Sequence, residues 1–195
     1  MDRAFLLEGL KALIPITLIF CAFFVFTPMT GDFEFHIKNT GNTANALDAA
    51  AGGTPHPSAY DYPPVVSWLL AFSETILHLD RKLALFLLLL FASTIIPYIL
   101  ITHIVGLKKK EWGMTAGWIY LYGSGVPFVV LFGGVAAQVL IMCFMLFCVL
   151  EPAALFLLVV LGPYIYREWI LAFAATLAYV GFQYLKPKIA RRWYD

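Results

Sequence analysis

The sequence predicts an all-α polytopic membrane protein with about six transmembrane helices, and both its composition and its apolar runs favour this fold class. Of the 195 residues, 62% are hydrophobic and only 13% are charged, whereas soluble domains have about a quarter of their residues charged. Several apolar runs approach the roughly 20 residues that a helix needs to cross a bilayer. A transmembrane β-barrel would instead alternate apolar and polar residues. We therefore expect a single transmembrane domain over residues 1–195.

The first two spans are the clearest, and the loop after the second orients the chain. An apolar run over 12–28 forms the first span, which lacks a small-residue cleavage site and is interpreted as retained. A second run covers 83–107 and ends at Lys108, Lys109 and Lys110. Clustered lysines mark the cytoplasmic side of a membrane protein. The sequence therefore predicts a cytoplasmic N-terminus and an external segment at 31–80.

The long apolar region from 114 to 165 contains a single charged residue, Glu151. Gly133-Gly134 and Glu151-Pro152 are natural helix breaks in this region. They divide it into three short spans, and one more span follows before a basic tail: 114–132, 135–150, 152–165, 169–185 and the tail 186–195. The glycines at 123 and 125, before Pro127, indicate a bend in the third span.

The number of spans follows from the charges at the two ends of the chain. Six spans place both termini and the three lysines in the cytoplasm, whereas five would place the basic tail outside. Six spans are therefore favoured. The expected location is the plasma membrane of a prokaryote.

The external segment is expected to contain one or two interfacial helices. The first is predicted over 32–51, because an Ala-rich stretch is followed by Gly52-Gly53. The second is predicted over 65–79, since two prolines can open a helix and the following residues are amphipathic. This helix is too short and too polar for a span.

Polar residues gather at the start of the external segment, where 31–36 reads GDFEFH. Asp32 and His36 are four residues apart and would share one helix face, with Glu34 turned away. A carboxylate at a membrane edge can act as a general base on a hydroxyl or bind a divalent ion. The alternative is that Asp32 only favours the helix dipole. Spacing alone favours this alternative.

Two further polar groups lie on the same predicted side. Tyr60, Asp61 and Tyr62 add a second carboxylate between two rings, which suit either an interfacial belt or a sugar face. Arg167 stands between two spans beside Glu168. It is either paired with that carboxylate or able to bind a phosphate through its two-pronged guanidinium.

Several functions are excluded or given no support by the sequence. Basic residues are placed by topology and do not form a patch with stacking aromatics, so no nucleic-acid partner is indicated. Cys21, Cys143 and Cys148 all lie within apolar runs without a paired cysteine or a histidine at metal spacing. They are interpreted as small hydrophobic residues rather than disulfide or zinc ligands.

The arrangement resembles the amino-terminal half of the GT-C superfamily of membrane glycosyltransferases, which includes protein mannosyltransferases and aminoarabinose transferases. The residues that carry the resemblance are Asp32 just after the first span, the element YDYPP at 60–64, and Arg81-Lys82 opening the second span. The resemblance is specific only within about 31–82. Members usually have about twice as many spans, and often a carboxy-terminal soluble domain.

The resemblance implies a transferase that moves a sugar from a polyprenyl-phosphate carrier to an acceptor at the external membrane face. Asp32 would be the general base or a carboxylate associated with a divalent metal ion, and Glu34 and Asp61 auxiliary acids. Arg167 would contact the lipid phosphate. The remaining substrate-binding candidates are His36, Tyr60, Tyr62 and Glu168.

A second hypothesis, from a different class, is a non-catalytic accessory subunit of a larger membrane complex. Its motivation is the number of spans, about half that of the family, together with the short spans after Met114. Under either hypothesis we expect another membrane subunit as a partner.

Overall fold

The computed structural model describes residues 3–26, 65–133, 135–166 and 168–194. Within these ranges 93% of the residues are helical and no strand is present. The prediction of an all-α fold is confirmed for this part of the chain.

The helices are numbered here in chain order. They are α1 Arg3–Phe26, α2 Val65–Leu77, α3 Arg81–Lys108, α4 Lys110–Trp118, α5 Val126–Gly133, α6 Ala136–Leu150, α7 Leu155–Ile165 and α8 Trp169–Tyr194. Two π-helical turns interrupt the regular geometry, Phe91–Ile95 within α3 and Ile119–Gly123 after α4, and a 3-10 turn, Pro152–Ala154, precedes α7. Turns of the π type often occur at functional or strained positions.

The turn between α2 and α3 is held by local polar contacts. Asp80 is the N-cap of α3, and its carboxylate accepts hydrogen bonds from the backbone N–H groups of Lys82 at 2.9 Å and Leu83 at 3.3 Å. Arg81 pairs with Glu74 of α2 at 2.6 Å. These contacts satisfy exposed backbone donors at the helix start and tie the end of α2 to α3.

Contacts between α1 and α3 show that these helices are antiparallel. Phe24, near the end of α1, packs on Phe86 near the start of α3, with ring centroids 4.6 Å apart. Gly9, near the start of α1, faces Tyr98 in the second half of α3. The chain therefore reverses direction between these two helices.

The helices α3 and α4 form a closely packed antiparallel pair. A Cβ atom on Gly113 would lie 2.7 Å from the carbonyl oxygen of Thr102, and one on Gly117 would lie 2.6 Å from the ring of Tyr98. Further along, the Tyr120 hydroxyl donates to the carbonyl of Ser93 at 2.7 Å. Small residues allow such close approach, as expected for helices packed within a bilayer.

The last three helices, α6, α7 and α8, also alternate in direction along the bundle. The end of α6 lies beside the end of α3, where Val149 and Leu150 line a cavity with Lys108. The short connection at 151–154 leads into α7, which runs away from this end. The connection at 166–168 leads into α8, which returns to it. Lys108 contacts Tyr179 of α8 at 3.2 Å, which brings α8 back to the same end.

The described helices thus make six antiparallel passes: α1, α3, α4 with α5, α6, α7 and α8. One end of the bundle carries Lys108 and is called the Lys108 end. The opposite end carries Glu168 and is called the Glu168 end. The short helix α2 lies at the Glu168 end, where Trp68 stacks with Tyr164 at 6.1 Å between centroids.

Two of these helices are long and apolar enough to cross a membrane, Leu7–Phe26 and Arg81–Lys108. The shorter apolar helices in the described ranges are Val65–Leu77, Ala136–Leu150, Pro152–Ile165 and Trp169–Leu185. These two helices support the assignment to a membrane.

One boundary differs from the sequence-based predictions. The predicted third span, 114–132, is not one helix: α4 and its π turn end at Gly123, and α5 begins at Val126. Gly125 has φ +72, a conformation that glycine adopts without steric cost, so the predicted bend is a complete break. The predicted last span, 169–185, corresponds to the apolar part of α8, which continues as a helix to Tyr194.

Substitution of Gly117 by alanine is expected to lower the free energy of unfolding by about 1–3 kcal/mol, the usual cost of overpacking. The added methyl group would clash with both Tyr98 and the Thr102 hydroxyl. Gly181→Ala is the matched control, since nothing lies within 4 Å of a Cβ atom there. Unfolding in detergent with increasing dodecyl sulfate measures both variants, and equal stability of the two would contradict this account of the α3–α4 contact.

Candidate functional site

Of the eight predicted site residues, the structure describes one. Glu168 is described, and its side chain is exposed between α7 and α8. The others lie outside the described residues, as does the helix predicted over 32–51: Asp32, Glu34, His36, Tyr60, Asp61, Tyr62 and Arg167. For these seven residues the assignments stay predictions.

The described helices nevertheless show where the segment 27–64 joins the bundle. It follows Phe26, which lies two residues beyond the Phe24 contact with α3. It precedes Val65, whose side chain packs against the hydrophobic cluster that contains Ile165. Both attachment points are therefore at the Glu168 end.

The connection between α7 and α8 at this end is tightly packed. Trp169 lies across Gly162, where a Cβ atom would come within 2.9 Å of the indole ring. The backbone N–H of Trp169 donates to the carbonyl of Tyr166 at 3.2 Å, and that of Tyr166 donates to Gly162 at 3.0 Å. The backbone bonds on both sides of Glu168 hold this residue at a defined position.

Tyr166 joins the two parts of the hydrophobic interior. It packs against the cluster around α1 and α3 and also against the cluster formed by α6, α7 and α8. Desolvation raises the pKa of its hydroxyl, and the charge and hydrogen bond of Glu168 raise it further. The phenol therefore stays protonated beside a carboxylate, and Tyr166 and Glu168 form the polar pair of this end.

Two exposed aromatic rings lie at the same end of the bundle. Trp68 of α2 and Tyr164 of α7 stack on each other and are both exposed. Rings of this kind are enriched where a membrane meets water, and they can also stack on a sugar face. The described part of this end therefore offers a carboxylate, a phenol and an aromatic surface.

No group of three or more metal-ligating side chains occurs among the described residues. Among them, Asp80 and Glu74 are already engaged, the first as a helix cap and the second with Arg81. The divalent ion expected beside Asp32 depends on residues outside the described ranges and stays a prediction.

The sequence reasoning missed a line of buried polar contacts in the middle of the bundle. Tyr120 donates to the carbonyl of Ser93, and the Cys143 thiol lies 3.1 Å from the carbonyl oxygen of Ala92. Both acceptors belong to the π turn of α3, and Tyr120 belongs to the π turn after α4. The Ser93-Thr94 pair within an apolar span was the available signal, although it does not reveal a π turn.

Comparison with known proteins does not test the resemblance to the GT-C superfamily: no protein-family model, no curated protein and no solved structure matches this chain. The resemblance stays a prediction that depends on Asp32, residues 60–64 and Arg81 with Lys82. Of these, the basic pair is described. It opens α3.

Replacing Glu168 by glutamine is expected to lower the pKa of Tyr166, because a charge that opposes ionisation of the phenol is removed. In the wild type that pKa lies above the ordinary value of about 10. The contribution of the neutral phenol to the free energy of unfolding is fully present below about pH 10. It is lost as the pH rises through the folded-state pKa of Tyr166. Titration of ¹³Cζ-labelled tyrosine by NMR measures the shift.

Glu151→Gln is the control for this titration, since Glu151 is exposed at the Lys108 end. This variant should leave the Tyr166 resonance unchanged. If Glu168→Gln and Glu151→Gln have the same effect, the Tyr166–Glu168 contact does not govern the titration.

Proposed function

We propose that this chain crosses the membrane six times and acts as a GT-C-like transferase module at the external face. It would move a sugar from a polyprenyl-phosphate carrier to a hydroxyl acceptor. One observation carries the proposal: both attachment points of the segment 27–64 lie at the Glu168 end, away from the three lysines. The candidate acids of that segment and the Tyr166–Glu168 pair would then face the same compartment.

The surface of the helices supports insertion into a bilayer. Large apolar side chains are widely exposed on α1, α7 and α8, and examples are Leu18 at 63%, Phe156 at 71% and Leu171 at 70%. Soluble proteins rarely expose such contiguous apolar surface. In a bilayer the same side chains face lipid tails.

The antiparallel passes support the six-span topology. If Lys108, Lys109 and Lys110 lie in the cytoplasm, the alternation of helices would give cytoplasmic termini and an external Glu168 end. The later helices are short: α6 has 15 residues and α7 has 11, so α6 is about 22 Å long. A hydrocarbon core about 30 Å thick would thin locally around helices of this length.

The proposed reaction replaces one bond to the anomeric carbon by another. The acceptor oxygen attacks that carbon, its proton passes to the Asp32 carboxylate, and the bond between the carbon and the phosphate oxygen breaks. The polyprenyl phosphate leaves with its electron pair. Arg167, with or without a divalent ion, would stabilise the negative charge that develops on the departing phosphate.

The topology is tested by accessible cysteines. In a Cys21→Ala background, chosen because Cys21 is exposed on α1, Glu168→Cys should react with a membrane-impermeant maleimide in intact cells. Lys109→Cys should react only after the cells are made permeable. Labelling of both positions from one side of the membrane would overturn the six-span topology.

The chemistry is tested by Asp32→Asn, which is expected to slow sugar transfer by about 10²- to 10⁴-fold, the usual effect of losing a general base. Purified protein is incubated with lipid extract from its source membranes, and the release of free polyprenyl phosphate is followed by mass spectrometry. Asp48→Asn is the control, an acid of the same segment outside the family pattern. Equal rates for wild type and Asp32→Asn would exclude Asp32 as the base.

The second candidate function is a non-catalytic accessory subunit, and the short helices α6 and α7 favour it. Helices of this length are better accommodated beside neighbouring helices of a partner than in bulk lipid. The subunit composition after gentle extraction separates the two candidates. Unrelated enzyme subunits at fixed stoichiometry, without a bound polyprenyl phosphate, would favour the accessory role.

A further inference from the structure

A groove runs along the outside of the bundle between α3, α6 and α8. It consists of two cavities with volumes of about 540 Å³ and 290 Å³. Both are lined by Ile104, Val149 and Tyr179, so the two cavities are adjacent. The groove reaches from Met142, in the middle of the bundle, to Leu150 at the Lys108 end, a distance of about 12 Å along α6.

The inner part of this groove is a hydrocarbon surface. Met142, Leu146 and Ala175 line the smaller cavity. Thr176 also lines it, but its hydroxyl donates to the carbonyl of Ala172 in its own helix at 2.7 Å. A ligand in this part of the groove therefore meets apolar groups.

The outer part of the groove ends at a cation. The Lys108 ammonium lies 3.2 Å from the Tyr179 hydroxyl and 5.6 Å from the centroid of the same ring. Ion pairs among the described residues join Lys11 to Glu8 and Arg81 to Glu74, and Lys108 takes part in neither. Its positive charge is held at the mouth of the groove by an uncharged partner.

We propose that this groove binds one acyl chain of an anionic phospholipid from the cytoplasmic leaflet, with the lipid phosphate on Lys108. The chemistry matches at both ends, since the tail meets apolar side chains and the phosphate meets an ammonium. A helix of a partner protein is about 10 Å across with its side chains and does not fit the smaller cavity, whereas a single hydrocarbon chain does. The site depends on membrane insertion with the Lys108 end inside, and it is independent of sugar transfer at the Glu168 end.

The headgroup contact is tested by native mass spectrometry of the purified full chain with added palmitoyl-oleoyl phosphatidylglycerol or phosphatidylcholine. The wild type should retain the anionic lipid preferentially. Lys108→Gln should reduce this preference about fivefold, a value typical of one lysine near an anionic leaflet. Lys109→Gln is the matched control, because it removes the same charge outside the groove, and it should keep the preference for the anionic lipid. Lys108→Arg should keep this preference too.

The tail contact is tested by filling the groove. Ala175→Phe should lower retention of both lipids, whereas Ala174→Phe, on the neighbouring exposed position outside the groove, should leave it unchanged. Circular dichroism and thermal unfolding verify that each variant is folded.

Three outcomes would overturn the proposal. An equal loss of lipid preference in Lys108→Gln and Lys109→Gln would mean that the lysines attract anionic lipid only through their combined charge, without a specific site at Lys108. Unchanged retention in Ala175→Phe would mean that no tail occupies the groove. A native mass of two chains that Ala175→Phe converts to one would assign the groove to a second copy of the protein.

Discussion

The close contact between α3 and α4 is the constraint on which the rest of the bundle depends. Apolar helices gain little by leaving lipid for each other, so they associate through tight packing and hydrogen bonds. Gly113 and Gly117 permit this approach, because any larger residue would meet the backbone of Thr102 or the ring of Tyr98. The contact also brings Tyr120 within 2.7 Å of the Ser93 carbonyl. Thus one pair of small residues determines which polar groups meet in the interior.

The first helix, α1, is positioned by the packed helices α3 and α4. Gly9 of α1 lies on the Tyr98 ring, and the Tyr122 hydroxyl donates to the carbonyl of Ala12. Tyr98 thereby contacts α1 on one side and α4 on the other. These contacts place α1 against both α3 and α4.

The helices and two of the breaks between them could be predicted from the sequence, but the π turns, the complete break before α5 and the contacts between helices could not. Apolar runs and the pairs Gly133-Gly134 and Glu151-Pro152 marked the breaks at the ends of α5 and α6. The break after Gly123 was predicted only as a bend, since a glycine in the sequence does not by itself reveal the positive φ that Gly125 adopts. Tyr166 and the groove were missed because they arise from distant segments: Lys108 and Tyr179 are 71 residues apart.

The charges at the Glu168 end limit how a phosphate could be held there. Arg81 and Lys82 are the described cations at the start of α3, and Arg81 is already paired with Glu74 at 2.6 Å, while Tyr166 and Glu168 contribute a neutral phenol and a carboxylate. A carrier phosphate beside this carboxylate requires a compensating cation. Under the transferase hypothesis Lys82, Arg167, a divalent ion or a partner subunit would supply it. Under the accessory hypothesis no such cation is needed, so the source of this positive charge is the physical point at which the two functions differ.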